Sequence, residues 1–339
     1  MSSTATNFDS SQTLDILAGW MLGQINSVRP HDAGSSGAKK FVVDSAEGRF
    51  LLKGRPSGAL SPERLELIRQ VTTNCVEARV PVADLRPQAD GHRHVEWGGF
   101  VWELQSWVSG RDGRRSSNDA ISSGIALAMF HRATRHLQAP VIKGFHQRQD
   151  IEKIARLALS HAPHAESALC ELVTLAKVAR TKVQDRGIAV HRQQALHGDW
   201  HPRNLRFNAQ SQVCGILDLD AVRTDAVVTE LATAVLHVSL RRSRDTPIEH
   251  WPAGLRYKAG QCLTTAWRSR IGREPDLGTW GMLPWVMIEG LAFETILPIA
   301  ARGEISGIEP GAWIHAGAKT AEWIRERSRA LSEYLAPKR

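Results

Sequence analysis

The 339-residue sequence holds only four cysteines, Cys75, Cys170, Cys214 and Cys262, far apart and with no C-x-x-C pair. That spacing excludes a thiolate zinc site and a disulfide framework, and it fits reduced thiols. No stretch approaches the ~20 apolar residues that a bilayer-spanning helix requires. The opening "MSSTATNFDSSQ" lacks both the charged start and the apolar run of a signal peptide, so we expect a cytoplasmic protein with no membrane association. The G-x-S-x-G elbow of serine hydrolases is missing, as are internal repeats and low-complexity tracts. What remains is ordinary for a folded protein: 42% apolar and 23% charged residues, in a chain long enough for two lobes.

The net charge of +8 does not mark a nucleic-acid binder, because the Arg and Lys residues are scattered. The nearest approaches to a cluster are "RRSR" at 241–244 and "GRDGRR" at 110–115. We therefore expect no specific nucleic-acid partner. A basic balance does suit anionic substrates such as nucleotides, which it steers inward.

Residue patterns divide the chain by texture. "TLDILAGWMLGQI" places Leu14, Leu17, Met21 and Ile25 on one stripe and reads as a short amphipathic helix. "AKKFVVD", "SAEG" and "RFLLKG" then read as strand, tight turn and strand, preceded by the small residues of "DAGSSG". From Ser61, "SPERLELIRQVTTNCVEARV" is helical, with Ser61 as cap, Pro62 at the first position and apolar residues at 65, 68, 71 and 75–76. Strands return over 80–110, with a turn at Ala89-Asp90-Gly91. Beyond Gly110 helices dominate. The first, "NDAISSGIALAMFHRATRHL", offers Ile121, Ile125, Ala128, Met129 and Leu137 for burial. Others are expected near 149–160, 163–186, 226–240, 252–272, 280–300 and 310–335.

The chemistry concentrates in "ALHGDWHPRNLRFNAQSQVCGILDLD", residues 195–220. Asp199 and Asn204 stand five residues apart in a loop after a short apolar strand, and Asp218 follows a second apolar strand. Phosphoryl transfer uses this set: one carboxylate to orient an acceptor hydroxyl and take its proton, and an amide oxygen with another carboxylate to hold magnesium against phosphates. His197 and His201 could be drawn with Asp199 as a metal trio, but Gly198 and Pro202 argue against the helix that their spacing would need.

This stretch resembles the catalytic loop and metal-binding segment of the aminoglycoside phosphotransferase and choline kinase-like family, kin to protein kinases. His197-Gly198-Asp199 and Asp218-Leu219-Asp220 stand where those relatives carry H-R-D and D-F-G. The resemblance runs from about residue 30 to about 235. It implies an α+β, protein-kinase-like fold with a small β-rich N-lobe, 12–105, and a larger, mostly helical C-lobe, 106–339. It also implies ATP and Mg²⁺ as cofactors, Asp199 as catalytic base, and Asn204 and Asp218 as magnesium ligands, with Asp220 assisting. Upstream it implies that Lys53 grips the nucleotide phosphates, paired with Glu66 or, one turn earlier, Glu63. Gly34, Ser35, Ser36 and Gly37 would cover the phosphates, and Gln105, Ser106 and Trp107 would lie near the base. His131 and His197 are expected to be structural.

Two residues depart from the family pattern. Glu230-Leu231-Ala232 stands where D-L-A is common, and Arg203 where a small residue is usual. The expected activity is transfer of the γ-phosphoryl of Mg·ATP to a hydroxyl of a small metabolite or antibiotic-like acceptor. The alternatives are a pseudokinase-type binding or regulatory module, and a protein Ser/Thr kinase of the same fold. An aminoglycoside acceptor would call for a carboxylate-rich pocket, for which Glu289, Glu294 and Glu304 are candidates.

Overall fold

The computed structural model describes residues 10–31, 37–114, 116–137, 142–147, 150–242, 246–272, 278–305 and 307–337. The chain opens with α1 (Ser10–Leu17), then β1 (Ile25–Pro30), β2 (Lys39–Ser45), β3 (Gly48–Pro56), α2 (Pro62–Glu77), β4 (Val95–Trp97) and β5 (Phe100–Ser106). The five strands form one antiparallel sheet in the order β1-β2-β3-β5-β4. β2 and β3 are the expected hairpin, closed at Gly48, whose φ of +122° favours glycine. Strand alternation sends Phe41, Val43, Phe50, Leu52, Trp102 and Leu104 to one face, where they pack with Ile16, Leu17, Trp20 and Leu22.

The helical stripe expected at Leu14, Leu17, Met21 and Ile25 is not the buried one. α1 stops at Leu17, Leu14 is 46% and Met21 74% exposed, and the inward residues are Thr13, Ile16, Leu17 and Trp20. Ile25 already belongs to β1, whose half-buried pattern carries no strong periodic signal. α2 starts as expected: the Ser61 hydroxyl accepts from the Arg64 N–H and Pro62 sits in the first turn. Its buried residues are Leu67, Ile68, Val71, Thr72 and Cys75. Burial pushes the Cys75 thiol up to about 12.

The remainder is mainly helical: β6 (Arg111–Asp112), α3 (Ser117–Thr134), α4 (Ile151–Leu159), α5 (Glu166–Asp185), β7 (Gln193–Leu196), β8 (Leu205–Phe207), β9 (Val213–Ile216), β10 (Arg223–Ala226), α6 (Val227–Ser239), α7 (Tyr257–Ile271), α8 (Thr279–Arg302), α9 (Pro310–Glu326) and α10 (Ser328–Leu335). The short strands form two small sheets, β10-β7 and β6-β8-β9. The molecule is thus a two-lobe α+β protein of protein-kinase-like architecture, β-rich first and helical after.

α8 is long and apolar enough by composition to cross a membrane, yet 78% of its apolar window is buried inside the protein. It is the core helix, packed against α4, α5, α6 and α9. α3 and α7 approach closely at Gly124, where an added Cβ would lie 2.3 Å from the Leu263 carbonyl oxygen. That contact turns the small-residue side of α3 inward. Ile121 is therefore exposed and Ile125 and Met129 are half-buried, while Ala128 is buried as expected and Ala120, Leu127 and Phe130 join it.

Candidate active site

The loop 197–204 hangs between β7 and β8, and the segment 217–222 between β9 and β10. Backbone bonds tie them together: the Leu217 N–H donates to the Asn204 carbonyl at 2.8 Å. His197 is fully buried and braces both. Its Nε2 bonds the Leu217 carbonyl at 2.9 Å, and its Nδ1 accepts from the Asp199 N–H at 3.2 Å. Gly198 has φ +87°, and an added Cβ would fall 1.8 Å from the Ala221 carbonyl oxygen, so only glycine fits between these loops.

Asp199 projects from this frame with its side chain 44% exposed. Its Oδ2 accepts from Asn204 Nδ2 at 3.0 Å and lies 3.3 Å from His201 Nε2. Burial would raise its carboxyl, but the His201 bond and charge, with His197 and His237 behind, hold it below the usual carboxylate range. Burial disfavours the His201 imidazolium, yet Asp199 outweighs it and raises the imidazole. Asn204 Nδ2 also donates to the Asp199 carbonyl at 3.0 Å. With that nitrogen committed, Asn204 offers Oδ1 to a cation.

Asp218 holds a left-handed backbone, φ +61° and ψ 73°, which a non-glycine residue adopts only under constraint. Its Oδ1 accepts from Lys53 Nζ at 2.9 Å. Lys53 is 2% exposed and also lies 2.9 Å from Asp220 Oδ2. Arg55, two residues further along β3 and so on the same face, donates to Asp220 Oδ1 at 2.9 Å and to Glu103 Oε2 at 2.6 Å. Burial would raise the Asp220 carboxyl, but Lys53 and Arg55 hold it at about 2. β3 thereby reaches the 217–222 segment through two cations.

The expected Lys53–Glu66 pair is not formed. Glu66 is 54% exposed and accepts from Gln70 Nε2 at 2.9 Å, while Glu63 sits exposed in the first turn of α2, drawn to Ser61. Because Leu67 and Ile68 face inward, both glutamates are turned away, and Arg64 instead stands half-buried within the field of Asp220 and Arg223. Gly34, Ser35 and Ser36 lie outside the described residues. Gly37 stands two residues before β2 with φ +69°. Gln105, Ser106 and Trp107 run off the end of β5. The Ser106 N–H donates to Asp84 at 2.8 Å and the Trp107 N–H to Arg49 at 3.1 Å, so neither amide is spare to read a base. The Trp107 ring meets His31 edge-on at 5.7 Å.

With these loops in view, the comparisons with known proteins decide the family. Residues 27–269 match the phosphotransferase enzyme family, well over half of the chain. The chain belongs to this family. No curated protein sequence matches it. Among solved structures it is similar to a microcompartment-associated aminopropanol kinase, with TM-score 0.71, 17% identity, and coverage of 96% of this chain and 99% of that one. It is also similar to an aminoglycoside phosphotransferase from Alicyclobacillus acidocaldarius, at TM-score 0.66 and 15% identity over 95% and 96% of the two chains. A choline kinase from Cryptosporidium parvum follows at TM-score 0.60 and 11% identity over 97% and 98%. At these identities the likeness is one of fold.

The 197–204 loop is supported from beneath. Glu230, the departure from D-L-A, is fully buried on α6. Its Oε1 accepts from the Gly198 N–H at 2.6 Å, and its Oε2 from the His197 N–H at 3.2 Å and His131 Nε2 at 2.9 Å. Trp267 Nε1 donates to His131 Nδ1 at 3.0 Å. Burial would raise the Glu230 carboxyl, yet His131, with His197 and Arg223, holds it at about 2. Arg223 completes the support by donating to the Gly198 carbonyl at 2.5 Å.

Arg55, Glu103 and Arg223 were missed from the sequence. Strand alternation from Lys53 would have found Arg55; Glu103 needed the β3–β5 register, which places it opposite Lys53. The C-terminal carboxylates do not gather. Glu289 is buried between His146 and Arg180, each at 2.6 Å, Glu294 bonds His237 at 3.1 Å, and Glu304 is exposed.

Proposed function

We propose that the chain is a phosphotransferase that moves the γ-phosphoryl of Mg·ATP to a hydroxyl of a small-molecule acceptor. The observation that carries this reading is the joining of Asp199 to Asn204 and of Lys53 to Asp218, each by direct hydrogen bonds, on two loops locked by the Leu217–Asn204 backbone bond. In this reading residues 12–105 are the nucleotide lobe and 106–339 the catalytic and acceptor lobe.

Asn204 Oδ1 and Asp218 Oδ2 are hard oxygen donors that suit magnesium. Among the described residues no group of three or more His, Cys, Asp or Glu side chains is arranged to hold a metal. Such a site fits an ion that takes few protein oxygens and fills its shell with phosphate and water. Magnesium, when bound, neutralises charge on the transferring phosphates.

The remaining roles belong to the chain. Lys53 turns from Asp218 to the phosphates while Asp220 keeps it and Arg55 in place. Gly34–Gly37 cover the phosphates, and the stretch Gln105–Trp107 borders the base. Glu66 has no place beside Lys53 in this arrangement and would need α2 to turn to reach it. Asp199, ionised and hydrogen-bonded by Asn204, receives the acceptor hydroxyl. The acceptor oxygen bonds to the γ-phosphorus, the bond from that phosphorus to the bridging oxygen breaks, ADP leaves, and the hydroxyl proton passes to Asp199. So acidic a carboxylate is a weak base, which suits a loose transition state in which orientation matters more than early proton removal.

The test is a phosphoryl-transfer assay against a panel of hydroxyl compounds, run with Asp199→Asn. We expect kcat to fall by about 10²–10⁴ with the Mg·ATP thermal shift retained. Undiminished turnover in that variant would remove Asp199 from the mechanism.

A further inference from the structure

A cavity of about 300 Å³ opens between the end of α6, the 248–253 segment, α8 and α9. It contains none of the residues assigned above, but it begins beside them. His237, on the last turn of α6, sits 5.6 Å ring to ring from His201, the partner of Asp199, and bonds Glu294 on α8. One helical turn beyond His237, Leu240 lines the cavity, as does Thr295, which adjoins Glu294.

The lining is cationic and aromatic. Arg241, Arg242 and Lys319 face it along with Trp251 and Trp313. Arg241 and Lys319 are exposed, as is the lining Glu249, and the two cations have no acidic partner among the described residues. The guanidinium of Arg242 lies 4.7 Å from the Trp313 ring and 5.6 Å from Trp251, and the two indoles meet edge-on at 6.3 Å. The Trp313 Nε1–H is buried and has no acceptor among the described residues. Of the two lining carboxylates, Glu309 is committed to the N-terminus of α9, where it accepts from Gly311 and Ala312 at 2.8 and 2.6 Å, and Glu249 is exposed. The buried carboxylate that a polycation would seek, Glu289, is already bonded by Arg180 and His146.

We propose that this cavity holds the anionic end of the acceptor, so that the substrate is an organic acid, bearing a carboxylate or phosphate beside a planar or apolar body, whose hydroxyl reaches Asp199. The acceptor role rests on the phosphotransferase reading; the preference for an anion rests on the cavity alone. Guanidinium and ammonium groups bond carboxylate and phosphate oxygens with charge assistance, and the crossed indoles present faces for a flat body.

The test uses two probes of one shape and opposite charge, 4-(hydroxymethyl)benzoate and 4-(aminomethyl)benzyl alcohol, titrated calorimetrically into the full chain without nucleotide. We expect the benzoate to bind at least about tenfold more tightly than the amine. The double variant Arg241→Ala/Lys319→Ala should weaken it by about tenfold or more, and Trp313→Phe should weaken it with no change of fold. Equal or tighter binding of the amine, no binding of the benzoate by about 10 mM, or an unaffected double variant would overturn the proposal. Competition by 4-(hydroxymethyl)benzyl phosphate ranks phosphate against carboxylate. The phosphotransferase reading is checked apart from this, by the Mg·ATP thermal shift: charge-selective binding without that shift keeps the anion cavity and removes its role as an acceptor site.

Discussion

At the scale of single residues, the 197–204 loop depends on Gly198 and on Glu230 beneath it. Gly198 is held by geometry: Gly198→Ala would drive a methyl into the Ala221 carbonyl at a positive φ, pulling the 197–204 loop off the 217–222 segment. Glu230 is held by chemistry, since both of its oxygens accept backbone N–H groups of that loop. In Glu230→Gln one oxygen becomes an NH₂ facing a donor. We expect a loss of about 2–3 kcal/mol in denaturant unfolding, in line with hydrogen bonds to a charged group. The same residue sets an acid limb. Its carboxyl is depressed from 4.5 to about 2, so its contribution is complete above pH 4.5 and fades as pH falls toward 2. A stability profile over that window should fall less steeply in Glu230→Gln than in wild type. Parallel profiles would contradict this account of Glu230.

At the scale of elements, contacts without charge decide which faces are buried, and this is where the sequence was hardest to read. The β2–β3 hairpin and the capped start of α2 were legible because tight-turn residues and Ser61-Pro62 act locally. The face of α3 was not, because its rotation follows from Gly124 approaching α7, a contact made across about 140 residues. Hydrophobic count favoured Ile121, whereas close approach favoured the small side. Gly124→Ala should force the helices apart and cost about 1–3 kcal/mol, read as a lower Tm. α3 also carries Ser123, which accepts from Trp200 Nε1 at 3.0 Å, and His131, so activity should fall with it. An unchanged Tm would mean that the helix pair tolerates separation. The partner of Lys53 was misread for a related reason: a helix glutamate was expected, but α2 turns Arg64 inward, and the carboxylates come from residues about 165 positions away.

At the scale of the whole molecule, two hydrophobic cores, one beneath the five-stranded sheet and one among the helices, are tied by Lys53 and Arg55 to Asp218 and Asp220. Arg55→Ala would leave Glu103 and part of Asp220 without their cation. We expect a cost of about 3–5 kcal/mol, since breaking a buried pair strands its charge. Urea unfolding of that variant should therefore begin earlier than in wild type, and coincident curves would show that this tie carries no stability. The order of Asp199, Asn204 and Asp218 was legible in the sequence, and the fold brings Asp199 and Asn204 into a direct hydrogen bond. What that order could not give was the support beneath the loop, which long-range packing supplies.

The central claim is that Mg·ATP binds where these loops meet. Thermal unfolding of wild type and Asp218→Asn, with and without Mg·ATP, tests it most directly. At a nucleotide concentration of about a hundred times Kd, binding adds roughly 2.7 kcal/mol, a rise of several degrees in a chain of this size. We expect a magnesium-dependent rise in wild type that Asp218→Asn loses. No rise in wild type, or an equal rise in both proteins, would contradict it.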